Sequence, residues 1–265
     1  MQDKSHVSFI FVIQTLADTS FPLFFSLFLT MRQHVASDFR LKENKHPFVF
    51  ENEKGHVLVI AFITSSIVRV QYLTELEREQ QIKEADCMAD SVDVKLSNTC
   101  VDGQLLTDTL ELKTLDLRLV ITLQPAFQLK WYPLEQQDAS EFPFAEDLLY
   151  RAYAYDKATD DKWHYQRKYD SNLYYGLGER TGSFDLSGRR FKLERLDCMG
   201  YDAETQDPLY KFCPFYICLS RKSRHAYGVH YNNFSKAEIN FGQELDAVKK
   251  KQSHSFFTFG PTVFS

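Results

Sequence analysis

The sequence has no apolar run long enough to cross a bilayer, no excess of basic charge, no Cys-x-x-Cys pair and no repeat of fixed period. Each absence closes a class of function. The longest apolar stretches, residues 7–13 (VSFIFVI) and 21–30 (FPLFFSLFLT), fall short of the ~20 residues a membrane helix needs. The polar QTLADTS between them, with Asp18, keeps them from fusing. Net charge is −5 with both signs interspersed, which argues against nucleic acid as a partner, since phosphate binding needs a positive patch. Lys249-Lys250-Lys251 is the one basic cluster and reads as a solvated strand end. The five cysteines, Cys87, Cys100, Cys198, Cys213 and Cys218, show no zinc spacing, alone or with the eight histidines, so no metal site is predicted. They read as reduced, mostly buried thiols, which favours a cytoplasmic protein. The sequon Asn233-Phe234-Ser235 matters only for a secreted chain.

A nucleotide loop is also missing. Gly176-Leu177-Gly178 is followed by glycine only at Gly182, so G-x-G-x-x-G is not met, and turn plus strand follows where a helix is required. The glycines are expected instead to supply positive φ and bring backbone close to a neighbour. No cofactor is predicted.

What the 265 residues do contain is apolar material, 44% of the chain, enough for a large β domain. From Phe48 the apolar pattern has period two. VLVIAF (57–62) and SIVRVQYL (66–73) predict a strand pair with Val68, Val70 and Tyr72 on one face. TLELKT (109–114) and DLRLVITL (116–123) predict another, with Leu115, Leu117, Leu119, Ile121 and Leu123 on one face. FQLKWY (127–132), PFYICLS (214–220), AYGVHYN (226–232), KAEINF (236–241) and SFFTF (255–259) add strands, with a turn at Asn232-Asn233. Residues 74–86 read as a surface helix or a solvated loop. Strand and helix nowhere alternate, which predicts an antiparallel sandwich or barrel.

Residues 1–36 read as an uncertain leader: a signal peptide, with small residues at Val35-Ala36-Ser37, or a gene-model extension before Met31. Secretion follows only from the first. This segment is set apart from the fold, which is assigned to residues 37–265.

Residues 174–217 concentrate aromatic rings and carboxylates. Tyr174, Tyr175, Phe184, Phe191, Tyr201, Tyr210, Phe212, Phe215 and Tyr216 alternate with Glu179, Asp185, Asp197, Asp202, Glu204 and Asp207. Apolar ring faces beside fixed acceptors suit a sugar, which offers C–H faces and hydroxyl donors. Each residue also has a structural reading. Glu179 and Arg180 suit a buried ion pair that anchors the loop. Asp197 and Asp202 suit turn caps better than a catalytic carboxylate pair across a glycosidic bond. Asp207-Pro208 suits a turn entering a strand, and most of the rings suit the core.

The order of these residues resembles the N-terminal domain of α-glucosidases of glycoside hydrolase family 31. The matching pieces are YYGLGER (174–180), GYDAETQDPLYK (200–211), PFYI (214–217), YGVHYNN (227–233) and Phe259-Gly260-Pro261, with IVRVQYL (67–73) and RAYAYD (151–156) upstream. The resemblance covers roughly residues 40–265. It implies a mainly β fold, an antiparallel β-sandwich of galactose-mutarotase-like type. In that family the domain precedes a (β/α)8 barrel that carries an Asp nucleophile and an Asp acid/base. A loop of the sandwich lends an aspartate to the sugar subsite at the barrel mouth. By position Asp202 is that residue, with Tyr201 beside it as a second, weaker substrate contact. No nucleophile segment of the W-x-D-M-N type is present, so no catalytic residue is assigned, and the chain alone is expected to be inactive. The implied partners are an α-glucoside or oligosaccharide and a barrel. Two other readings stand beside it: a stand-alone carbohydrate-binding module, or a mutarotase-type enzyme using His164, His225 or His230 with a glutamate.

Overall fold

The computed structural model describes residues 9–14, 33–34, 39–74, 95–96, 108–134, 142–159, 161–222, 225–232, 236–243 and 254–259. The helix-or-loop at 74–86 (but for Thr74), the sequon, the Asn232-Asn233 turn (but for Asn232) and the lysine cluster lie outside them. Every regular element among the described residues is a strand, and no helix there is long and apolar enough to cross a membrane. In chain order they are β1 (Phe9–Gln14), β2 (Gln33–His34), β3 (Arg40–Glu43), β4 (Phe48–Glu51), β5 (Val57–Phe62), β6 (Ile67–Leu73), β7 (Lys95–Leu96), β8 (Thr109–Lys113), β9 (Leu117–Thr122) and β10 (Gln128–Pro133). There follow β11 (Ala145–Glu146), β12 (Tyr153–Asp156), β13 (Asp161–Arg167), β14 (Asn172–Gly178), β15 (Arg190–Leu193), β16 (Phe212–Ser220), β17 (His225–Tyr231), β18 (Ala237–Asn240) and β19 (His254–Phe259).

They form three sheets: an eight-stranded one in the order β14-β16-β17-β1-β6-β5-β4-β3, a six-stranded one, β15-β18-β19-β13-β12-β2, and a five-stranded one, β11-β10-β9-β8-β7. Pairing is antiparallel except at β1, which runs parallel to both neighbours. The mainly antiparallel β-sandwich expected from period-two patterning is the observed fold.

The predicted pairs appear in register. β5 and β6 pair antiparallel, and Val68, Val70 and Tyr72 of β6 share one face and enter the core. In β8 and β9 burial alternates strictly, with Leu110, Leu112, Leu117, Leu119 and Ile121 fully buried. One expectation needs correcting: Leu115 does not continue the stripe. It sits in the turn between β8 and β9, 77% exposed, because alternation holds along a strand and not around a hairpin. Residues from all three sheets, among them Phe50, Trp131, Tyr153, Phe191 and Phe241, join in one core. β5 is buried on both faces, since Val57 and Val59 pack with Val49 and Leu73 on its other side.

β1 and β2 fall within residues 1–36, the segment set apart from the fold, and both are paired into sheets. The run VSFIFVI lacks the alternation that marks a strand with one solvated face, and an apolar leader segment reads the same way.

Candidate loop site at the end of strand β14

The block of rings and carboxylates separates into a buried half and an exposed loop. Tyr174, Phe191 and Tyr216 belong to the core, as expected; Tyr174 stacks on Phe241 with ring centroids 4.4 Å apart. Phe184, Tyr201 and Tyr210 are exposed.

The glycines act by close approach, but inside a strand and not in a free loop. β14 continues to Gly178 through a register shift between Gly176 and Gly178 against β16. Gly176 has φ +126°, and a Cβ there would stand 2.6 Å from the Phe215 carbonyl oxygen. At Gly178, φ +79°, it would stand 2.8 Å from the Cys213 nitrogen. Leu177 between them is fully buried at φ 67°. Past this bulge Gly178 pairs with Phe212 and the Glu179 amide donates to the Lys211 carbonyl, which brings Glu179, Arg180 and Thr181 beside the loop that joins β15 to β16.

That loop, residues 194–211, is fastened at its C-terminal side. Arg180 donates from Nη1 to Asp207 Oδ1 at 2.8 Å, and the Lys192 amide donates to Asp207 Oδ2 at 2.8 Å. The anchoring ion pair is thus real, but its acid is Asp207 and not Glu179. Adjacent residues on an extended chain point to opposite sides, so Glu179 instead accepts from the Lys211 amide at 3.3 Å. The Arg180 side chain is 4% exposed and its guanidinium lies over the Phe191 ring, 5.6 Å from the centroid. Burial pulls the Arg180 pKa below its ordinary value, and the Asp207 charge opposes that. Arg189 stacks on the same ring at 4.6 Å and donates to the Thr181 carbonyl, while Thr181 Oγ1 donates to the Gln206 carbonyl at 2.8 Å. The Cys198 thiol closes the loop's neck on the Pro208 carbonyl at 3.2 Å.

At the tip, Asp202 is a turn cap. Its Oδ1 accepts from the Glu204 amide at 2.7 Å and its Oδ2 from Thr205 Oγ1 at 2.8 Å; its carbonyl accepts from the Gln206 amide. The Glu204 amide first, and the Thr205 hydroxyl second, hold this exposed carboxyl below its ordinary pKa. At neutral pH it is an anion that only accepts hydrogen bonds. Each oxygen keeps a lone pair facing solvent. Tyr201 and Tyr210 meet edge to face, 6.5 Å between centroids, and like Leu196 and Met199 of the same loop they are exposed. Asp197 is exposed on the same loop and makes no capping bond there.

The three histidines are scattered. His225 stacks on Phe144 and His230 sits beside Phe215, its pKa lowered by burial. His164 is in the interior: Nε2 meets Asp147 Oδ1 at 2.9 Å and Nδ1 meets the Tyr231 hydroxyl at 3.0 Å. The adjoining cavity, lined by Asp147, Tyr153, His164 and Gln166 among others, measures about 10 Å³. That admits one water and no sugar. The sequence offers no signal for this network, whose members come from three strands and a bridge residue. Among the described residues no group of His, Cys, Asp and Glu is arranged to hold a metal.

Comparison with known proteins bears on the same region. The family model described as "Glycosyl hydrolase 31 N-terminal galactose mutarotase-like domain" matches residues 57–240. No curated protein matches. Among solved structures, a Flavobacterium johnsoniae GH31 dextranase complexed with glucose superposes with a TM-score of 0.62 at 20% identity, covering 86% of this chain and 26% of the enzyme. A cycloalternan-forming enzyme from Listeria monocytogenes, in complex with a pentasaccharide substrate, gives 0.62 at 13% identity, covering 86% and 19%. The α-1,4-glucan lyase of Gracilariopsis lemaneiformis gives 0.59 at 13%, covering 86% and 27%. At these identities the likeness is one of fold, and the chain spans about a quarter of such proteins or less.

Proposed function

The chain belongs to the glycosyl hydrolase 31 N-terminal galactose mutarotase-like domain family, and from that premise we propose that it is the non-catalytic sandwich of an α-glucosidase-like enzyme, lending one loop to a sugar subsite completed by a (β/α)8 barrel. The observation that carries this reading is the loop itself: an ionised, exposed carboxylate held in a capped turn, on a loop that also exposes Tyr201 and Tyr210 and is fastened to the sandwich by a buried arginine. A pre-ordered anion accepts bonds from sugar hydroxyls without the entropic cost of ordering a mobile side chain. It does not serve as an acid, because its pKa is held down. Bond breaking falls to carboxyl groups of the barrel, and the substrate is an α-glucoside or oligosaccharide.

The test is Asp202→Asn in the polypeptide joined to a GH31 barrel. Loss of a charged hydrogen-bond acceptor of this kind costs about 1.5–3 kcal/mol, so kcat/KM for an α-glucoside falls ~10- to 100-fold. Equal kinetics in the two proteins overturns the role of Asp202. The reading as a stand-alone module predicts calorimetric binding of maltose by the chain alone, abolished in Asp202→Ala; no heat at millimolar sugar removes it. The mutarotase-type reading has no support in the geometry of His164, which faces the core.

A further inference from the structure

Strand β1 is the one parallel member of the eight-stranded sheet. Residues 9–13 pair with 227–231 of β17 on one side, and residues 10–14 pair with 67–71 of β6 on the other. The remaining pairings of that sheet are antiparallel. β17 and β6 therefore run in the same direction, and β1 alone joins the block β14-β16-β17 to the block β6-β5-β4-β3. Hydrogen-bonded strands stand about 4.8 Å apart, which puts β17 and β6 two spacings, ~10 Å, from each other. That is too far to pair directly. Without β1 the two edges face each other across a gap one strand wide, in a sheet whose inner side is core: Tyr227, Val229 and Tyr231 of β17 and Val68 and Val70 of β6 are all buried. Buried backbone groups left unpaired on two edges are costly, and an open edge is a template for another strand. The sequence of β1, FIFVIQ, has no Pro and is rich in strand formers, which suits a strand paired on both edges.

We infer that β17 and β6 form a slot for one parallel strand, and that Phe9–Gln14 is its occupant: this piece of the N-terminal segment is an integral part of the sheet and not a detachable leader. The inference stands apart from the carbohydrate reading. A chain that loses the segment holds an open slot, and the equivalent strand of a second copy is its natural replacement.

Hydrogen exchange by mass spectrometry on the full chain tests it. Amides of residues 10–13 are expected to exchange at least about a hundredfold more slowly than in a free peptide, together with those of 67–71 and 227–231. In a chain lacking residues 1–36, exchange at 67–71 and 227–231 rises at least about tenfold, and a peptide of residues 8–15 with a solubilising lysine tail reverses the rise. If the truncated chain does not fold, Val12→Pro in the full chain gives the same readout, with the rise largest at the two flanking strands. Free-peptide exchange at residues 10–13, or unchanged protection of both edges in a monomeric truncated chain, overturns the proposal. Protection regained in a truncated dimer supports the slot with the second copy as donor.

Discussion

Arg180 sets the loop's position through one ion pair, and the consequences are measurable at that residue. Removing one partner of a buried pair leaves the other charge uncompensated and costs on the order of 3 kcal/mol. Arg180→Gln is expected to lower the urea unfolding midpoint accordingly, while Arg180→Gln with Asp207→Asn recovers part of the loss in a double-mutant cycle. A single-mutant effect under ~0.5 kcal/mol contradicts the clamp. His56 makes a second prediction. Burial first, then the charges of Lys54 and Lys162, lower its pKa to about 4. Its Nδ1 lies 2.5 Å from the Tyr72 hydroxyl. The unfolded chain takes up a proton near the ordinary value of ~6.5 and the folded one does not. Stability from this group is therefore complete above pH ~6.5, falls as pH drops towards 4, and levels off below. Discounted for solvent screening, the loss is about 2 kcal/mol. The difference in stability between the protein and His56→Gln, followed from pH 7.5 to 4, shows it as a slope confined to that window.

At the scale of elements, the bulge of β14 gives the loop its direction. Gly178→Ala places a methyl against the β16 backbone at a positive φ, and a loss of about 2–4 kcal/mol in thermal or urea unfolding is expected. Much of this level was legible beforehand. Leu110, Leu112, Leu117, Leu119 and Ile121 announce a hairpin because a two-sided strand writes its burial into every second residue. GLG announces close approach because only glycine tolerates it. What stayed hidden has physical causes too. Arg180 pairs with Asp207, 27 positions away, and local sequence carries no sign of which acid a folded loop brings back. The Asp147–His164–Tyr231 network is hidden for the same reason. β1 is not legible as a strand because FIFVIQ lacks alternation, and an apolar run without alternation suits a leader equally well. Of Asp202 the turn-cap reading is the part the structure shows: its carboxylate accepts from the Glu204 amide and the Thr205 hydroxyl and so orders its own loop.

For the whole molecule, the core is continuous across three sheets, yet Leu196, Met199, Tyr201 and Tyr210 stand exposed together on one loop. A surface of that kind is the signature of a contact with another body. The isolated chain is therefore expected to self-associate in light scattering, and Met199→Lys with Leu196→Glu to reduce that association without lowering the unfolding midpoint. The family's sandwich, the ordered carboxylate and the exposed surface on its loop are what the proposed role rests on, a domain that assists catalysis performed elsewhere. The measurement that tests it most directly is hydrolysis of 4-nitrophenyl α-glucoside by three preparations: the chain alone, a GH31 barrel lacking its sandwich, and the two joined. The account predicts no turnover by the chain alone and activity in the joined protein above that of the barrel, falling with Asp202→Asn. Turnover by the chain alone, or a joined protein no more active than the barrel, would contradict it.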